Sequence, residues 1–191
     1  MHIDRQKGRL EVLAGGVLAG KTHELVRRLR EAEITPGSNG RVAAFAPKTP
    51  GRPDAGHLIS RDDAKFPCRF VSDSEALYGL ALRGEATVVG IDEAHLFDGD
   101  LVEICERLAN RGIRVIVAGL DLDANRAPYE TTMHLLALGE LVTKLNAVCT
   151  VCGSLASRSR RLLNVEHFTQ SGAQYVPLCR QCFERVRQTN A

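Results

Sequence analysis

Eight residues near the amino terminus have the types and spacing of a phosphate-binding loop. The pattern G-x-x-x-x-G-K-[ST] is matched by Gly15, Gly16, Val17, Leu18, Ala19, Gly20, Lys21 and Thr22. Glycines let backbone N–H groups converge on phosphate oxygens, and a helix that begins at the loop adds positive partial charge. Lys21 can reach the β and γ phosphates of ATP, and the Thr22 hydroxyl can hold Mg²⁺. A Gly-rich turn could match by chance, but chance rarely supplies the flanking strand and helix as well.

Two adjacent carboxylates, Asp92 and Glu93, follow the apolar run TVVGI. At the end of a buried strand that faces the phosphate loop, Asp92 can hold Mg²⁺ through its water shell. Glu93 lies one residue further into the cleft and can accept a proton from the oxygen that attacks the γ phosphate. That oxygen could belong to water or to a substrate hydroxyl. For His95, contact with the bound nucleotide and a structural hydrogen bond at a helix start are weighed equally.

The tetrad Asp-Glu-Ala-His at 92–95 also occurs in helicases, which are nucleic-acid motors. A helicase needs a second motor domain, and the remaining chain is too short to contain one. The net charge is +2, from 25 basic and 23 acidic residues, and no polybasic arm is present. The sequence therefore predicts chemistry on a small molecule, with no nucleic-acid partner.

Four of the six cysteines form two Cys-x-x-Cys pairs, Cys149 with Cys152 and Cys179 with Cys182. Each pair can supply two sulfurs to one edge of a tetrahedron, and four thiolates are typical of a structural Zn²⁺ site. A redox-active pair is the second interpretation. The other two cysteines stand alone in apolar contexts, and the pattern favours metal over disulfides.

The elements that must position these residues alternate between strand and helix. RLEVLAG, RVAAFAP, CRFVS, ATVVGID and IRVIVAGLDL are typical of strands, and helical spacing or capping marks KTHELVRRLREAE, DSEALYGLALRG and DGDLVEICERLANRG. Continuous apolar runs predict an α/β fold, a P-loop NTPase core whose parallel sheet is covered by helices on both faces. Ligands should gather at the carboxyl ends of its strands.

The composition changes near Cys149, which predicts a core at residues 1–148, a small zinc-binding unit at 149–186 and a disordered tail at 187–191. The first ten residues lack a hydrophobic signal core, and no apolar run approaches the roughly 20 residues that span a bilayer. We therefore expect a cytoplasmic protein with no membrane partner.

From about Arg9 to Phe183 the chain resembles the type II thymidine kinases, which contain zinc. The resemblance is carried by IDEAHLFDGDLVEICERLANRGIRVIVAGLDLD, then LLALGELVTKLNAVCTVCG, then CRQC, in the order and spacing of the family. It implies a P-loop core, a zinc-ribbon-like unit that carries a lasso loop over the nucleoside, and usually a homotetramer. It also implies transfer of the ATP γ phosphate to the 5′-hydroxyl of thymidine, with Glu93 as general base and Asp92 as the magnesium carboxylate.

The same resemblance assigns residues to the nucleoside. Leu120, Tyr129 and Ser159 would line the base pocket, Tyr175 would pack against the nucleoside from the lasso, and Arg52 would lie near the transferred phosphate.

The departures from the family pattern concentrate at the nucleoside site. Ala124 replaces a phenylalanine, His95 a glutamine, Val17 a methionine and Ser159 a threonine, and the lasso is shorter than usual. Two alternatives therefore stay open beside thymidine phosphorylation. The chain could phosphorylate a modified or different nucleoside, or it could bind ATP without catalysis.

Overall fold

The computed structural model describes residues 8–35, 41–49, 56–161 and 175–188. Five α-helices occur in this part of the chain: α1 Lys21–Ile34, α2 Ser74–Arg83, α3 Leu101–Asn110, α4 Glu130–Leu138 and α5 Arg180–Gln188. Its strands are β1 Arg9–Gly15, β2 Val42–Pro47, β3 His57–Ile59, β4 Lys65–Pro67, β5 Arg69–Val71, β6 Val88–Ile91, β7 Arg114–Gly119, β8 Leu141–Leu145, β9 Ala147–Val148, β10 Leu155–Ala156, β11 Arg158–Arg161 and β12 Tyr175–Leu178. A 3₁₀ turn occupies Ala94–Leu96.

Six strands form the central sheet, in the order β5-β2-β6-β7-β1-β8. Every neighbouring pair in this sheet is parallel. The strands between the two edges are almost entirely buried, as their continuous apolar runs require. The α/β fold with a covered parallel sheet, predicted from the sequence, is confirmed.

Each face of the sheet packs against its own set of elements. Helix α1 and the β3–β4 hairpin cover one face, and α2, α3 and α4 cover the other. Helix α1 buries Leu25 and Leu29 completely. A Cβ at Gly90 of β6 would lie 2.7 Å from a Leu29 methyl carbon, so the glycine lets α1 approach the strand. Truncating a buried leucine of this kind costs about 2–5 kcal/mol.

Several local features match the sequence expectations and others were missed. Asp73 caps α2, since its carboxylate accepts a 2.7 Å hydrogen bond from the Ala76 N–H. The β3–β4 hairpin and strand β8 were not predicted. Helix α5 includes residues 187 and 188 of the predicted tail, and residues 189–191 lie outside the described part of the chain. No described helix is long and apolar enough to cross a membrane.

A buried carboxylate on β1 links this strand to β7 and to helix α1. Glu11 is 1% exposed and accepts hydrogen bonds from three arginines. The donors are Arg114 at 2.6 and 3.1 Å, Arg28 at 2.8 Å and Arg9 at 2.8 Å. Burial alone would raise the pKa of Glu11, but the hydrogen bonds from Arg114 and Arg9 and the charge of Arg114 lower it to about 2.

Candidate functional site

Three neighbouring strands end at one edge of the sheet and bring the predicted chemistry together. β7 lies between β6 and β1. The phosphate loop follows β1, Asp92 and Glu93 follow β6, and Leu120 and Asp121 follow β7. Parallel strands place their carboxyl ends at the same edge, where ligands of open α/β sheets bind.

The phosphate loop lies between β1 and α1, as the motif requires. Gly20, immediately before α1, has φ +83, and a Cβ there would meet nothing within 4 Å. The left-handed backbone, rather than lack of space, therefore requires glycine at this position. The Lys21 ammonium donates a 2.7 Å hydrogen bond to the Gly16 carbonyl. Burial lowers the pKa of Lys21, and the charges of Glu93, Asp92 and Asp121 oppose that shift.

The hydroxyl of Thr22 meets the carboxylate of Asp92. Thr22 Oγ1 donates to Asp92 Oδ2 at 2.9 Å, and Asp92 Oδ1 accepts the Glu93 N–H at 2.9 Å. Asp92 is 3% exposed, and burial together with the Glu93 charge raises its pKa above the usual range. A buried carboxylate beside a hydroxyl offers the hard oxygen ligands that Mg²⁺ prefers. These residues therefore fit the magnesium site expected of the motif.

Glu93 immediately precedes the 3₁₀ turn and has a left-handed conformation, with φ +55. Such backbone in a residue other than glycine costs about 1–3 kcal/mol and clusters at functional sites. The Glu93 side chain remains 30% exposed, and its Oε2 lies 3.6 Å from Nε2 of His95. The general base proposed from the sequence is thus accessible to a substrate at the strand edge.

His95 is enclosed between the carboxylate and the predicted base pocket. Its side chain is 5% exposed, and Nδ1 accepts a 3.2 Å hydrogen bond from the Leu120 N–H. In a neutral imidazole the proton then lies on Nε2, the nitrogen that faces Glu93. Burial, and to a lesser extent the charge of Lys21, lowers the pKa of His95 to about 4. The ring is therefore neutral at physiological pH.

The residues assigned to the nucleoside fall into two places. Tyr129 packs its ring against His95, with centroids 4.8 Å apart, and Leu120 bonds to the same imidazole. Burial raises the pKa of Tyr129, and the nearby Tyr175, Asp123 and Glu93 raise it further. Tyr129 and Leu120 thus both contact His95, and Tyr129 lies close enough to Tyr175 and Glu93 for their charges to act on its pKa.

Two further assignments stand apart from that group. The Ser159 hydroxyl accepts a 3.0 Å hydrogen bond from the Val17 N–H, so the structure places Ser159 directly against the phosphate loop. Arg52 lies outside the described residues.

Asp121 is a site-edge carboxylate that the sequence analysis missed. It is 5% exposed, Lys144 of β8 lies 2.7 Å from its Oδ2, and its Oδ1 is one of two buried side-chain polar atoms without a hydrogen-bond partner among the described residues. The signal that could have revealed it is the one used for Asp92, an acidic residue directly after an apolar strand. Its charge acts on Lys21 at the phosphate loop.

The four paired cysteines converge in the small unit formed by β9 to β12 and α5. Their sulfurs lie within 4.8 Å of one another, and Cys152 Sγ is 3.6 Å from Cys179 Sγ. A metal–sulfur distance of about 2.3 Å in a tetrahedron corresponds to sulfur separations of about 3.8 Å. All six cysteines lie in the described ranges, and none forms a disulfide. The cluster can therefore hold one metal ion.

Comparisons with known proteins agree with this arrangement. The family model described as thymidine kinase matches residues 8–183. A thymidine kinase of Bacteroides fragilis is 39% identical over 186 residues, covering 96% of this chain and 91% of that protein. A thymidine kinase of Rhodothermus sp. is 43% identical over 185 residues, covering 96% and 84%. Among solved structures, the Legionella pneumophila ATPase DotB aligns over 78% of this chain and 43% of its own, at 13% identity and a TM-score of 0.48, which is too low to support an inference.

Proposed function

This chain belongs to the thymidine kinase family, and we propose that it transfers the γ phosphate of ATP to the 5′-hydroxyl of thymidine. The observation that carries the proposal is the meeting of the phosphate loop with an accessible carboxylate at one sheet edge. Glu93 lies there 3.6 Å from His95, whose ring packs against Tyr129, while Thr22 and Asp92 face each other at 2.9 Å.

The nucleotide half of the reaction uses the loop and its helix. Backbone N–H groups of the phosphate loop and of the start of α1 receive the phosphates, apart from the Val17 N–H, which Ser159 accepts, and Lys21 neutralises charge on the β and γ phosphates. Lys21 is held near Gly16 until the nucleotide offers a stronger acceptor. Thr22 and Asp92 would hold Mg²⁺, which when bound neutralises phosphate charge and orients the transferred group.

The acceptor half uses Glu93 as general base. Its carboxylate takes the proton from the 5′-hydroxyl as that oxygen bonds to the γ phosphorus and the bond to ADP breaks. His95 presents a neutral Nε2–H to the carboxylate, so it can orient Glu93 without competing for the proton. Of the two roles open to His95, these contacts favour the structural one over direct nucleotide contact.

The remaining assignments complete the proposal. Leu120, Tyr129 and Tyr175 would line the nucleoside site, and Ser159 lies at its junction with the phosphate loop. Zn²⁺ would fill the four-cysteine cluster, where it would join the turn after β9 to the end of β12 and the start of α5.

We propose that the chain assembles into a homotetramer, because part of its surface exposes large apolar side chains. Helix α4 and the edge strand β8 expose large apolar side chains, among them Met133, Leu138, Leu141 and Val142. Exposed apolar side chains can mark interaction sites, so α4 and β8 are the elements that we propose for the subunit interface. We place the enzyme in the cytoplasm, where its ATP is available.

The proposal is tested by transfer of label from γ-labelled ATP with Mg²⁺ to thymidine, deoxyuridine, other nucleosides and water, with each product separated. We expect labelled thymidine monophosphate as the main product. Transfer only to another nucleoside, or only to water, would show that this site serves a different acceptor.

A further inference from the structure

One hydrogen bond links the phosphate loop to the cysteine-containing unit. The Val17 N–H donates to the Ser159 hydroxyl at 3.0 Å, across 142 positions of sequence. Ser159 is 6% exposed and lies on β11, opposite Pro177 of β12, the strand that leads into Cys179. The third residue of the phosphate loop is therefore hydrogen-bonded to β11, whose partner β12 continues directly into Cys179 of the four-cysteine cluster.

Apolar packing joins the same two parts. Leu18 and Ala19 of the loop pack against the small unit's hydrophobic cluster, which consists of Ala147, Cys149, Ala156, Leu178, Cys179, Cys182 and Phe183. Leu18 has φ +66, a left-handed conformation that disfavours a residue with a Cβ. Such a conformation persists only where surrounding contacts enforce it, and packing against the small unit supplies one set of them.

The first two residues of the loop also have little free space around them. A Cβ at Gly15 would lie 2.2 Å from the Leu145 carbonyl oxygen, and one at Gly16 would lie 3.1 Å from the Ser159 hydroxyl. Leu145 ends β8, two residues before the small unit begins at β9. The first residues of the phosphate loop are thus enclosed by the end of the sheet on one side and by β11 on another.

We propose that Ser159 and Leu18 are positioning residues through which the cysteine-anchored unit holds the phosphate loop in its nucleotide-binding shape. The four-cysteine cluster would then support nucleotide binding as well as nucleoside binding. The physical basis is preorganisation: a loop already held in its bound conformation loses less conformational freedom when phosphates bind. Without the Ser159 hydroxyl, the Val17 N–H loses its partner and Leu18 its neighbouring restraint. The inference rests on the proposed function in assigning ATP to this loop.

The test measures binding of Mg·ADP by calorimetry with no nucleoside present, so that base recognition does not enter. Ser159→Ala should raise the Kd for ADP about threefold to tenfold, the loss expected for one hydrogen bond. Ser159→Thr keeps the hydroxyl and should bind ADP within about twofold of the wild type. Ser157→Ala is the matched control, because its hydroxyl contacts Arg158 rather than the loop, and it should leave the Kd unchanged.

The role of the metal is tested by the same measurement of ADP binding. Cys149→Ser, or wild type treated with a zinc chelator, should also weaken ADP binding, while circular dichroism shows that the sheet remains folded. The zinc content of Ser159→Ala should equal that of the wild type, which separates loss of the hydrogen bond from loss of metal.

Two outcomes would overturn the inference. One is an unchanged ADP Kd in Ser159→Ala with a raised KM for thymidine, which would restrict Ser159 to the base pocket. The other is unchanged ADP binding in metal-free, folded protein. Neither outcome affects the proposed phosphoryl transfer, whose failure appears instead as absence of product in an enzyme that still binds ADP.

Discussion

Replacing Glu11 by glutamine removes the charge on which three arginines converge and keeps the shape of the side chain. The pKa of Glu11 falls from 4.5 to about 2 in the folded chain. At about 1.36 kcal/mol per pKa unit, this shift corresponds to roughly 3 kcal/mol of stability at neutral pH. The arginine side chains are 14–40% exposed and regain some hydration when the carboxylate is lost. We therefore expect Glu11→Gln to lower the free energy of unfolding at pH 7 by about 2–3 kcal/mol.

The pH dependence of this difference identifies its cause. A carboxyl group with a depressed folded pKa stabilises the protein above its unfolded pKa, and the contribution is lost as the pH falls toward the folded pKa. The advantage of wild type over Glu11→Gln should be constant above about pH 6 and then shrink by about 0.8 kcal/mol at pH 4 and about 1.4 kcal/mol at pH 3.5. Metal loss and other titrations affect both proteins and cancel in the difference.

The assay is equilibrium urea unfolding of both proteins from pH 7 down to the lowest pH at which both remain folded. Glu75→Gln is the matched control, because Glu75 pairs with Arg107 at 2.8 Å but is 64% exposed, and it should change the free energy of unfolding far less than Glu11→Gln does. A Glu11→Gln effect as small as the control, or one that does not change with pH, would refute the electrostatic explanation.

Three further predictions concern the site. Lys21→Ala should weaken ATP binding and slow transfer, because the loop loses the charge that faces the phosphates; unchanged kinetics would remove Lys21 from the reaction. His95→Ala should lower kcat about tenfold to a hundredfold with little change in the KM for ATP. His95→Gln should restore most of kcat, because glutamine supplies another neutral hydrogen-bond donor. A raised KM for ATP would instead favour direct contact between His95 and the nucleotide. Cys149→Ser should release one zinc per chain by elemental analysis, and wild type that is fully folded without zinc would contradict the metal assignment.

The sequence predicted those parts of the fold that depend on local pattern. The phosphate loop was predicted because close approach of the backbone to phosphate requires glycines, and a lysine such as Lys21, at a fixed spacing. The central strands were found because burial on both faces requires continuous apolar residues. Strand β8 was missed because, as an edge strand, it exposes Leu141 and Val142 and so lacks a buried run. The β3–β4 hairpin was missed because each of its strands is three residues long and buries one side chain.

The long-range contacts that position the site residues could not be predicted from local sequence patterns. Ser159 meets Val17 across 142 positions, and Glu11 meets Arg114 across 103. Such pairs depend on strand order, which motif spacing does not specify. His95 shows the same limit, since the sequence left two roles open until Leu120 on a different strand end was found to fix its imidazole. Asp121 could have been predicted, because it follows an apolar strand as Asp92 does.

The most direct test of the central claim is single-turnover transfer of the γ phosphate to thymidine by wild type and Glu93→Gln, with ADP binding measured on the same samples. We expect labelled thymidine monophosphate from the wild type, and from Glu93→Gln a rate lower by about 10² to 10⁴ at unchanged ADP affinity. Full-rate transfer by Glu93→Gln would contradict the assignment of Glu93 as general base, and no transfer to thymidine by wild type that binds ADP would contradict the proposed reaction itself.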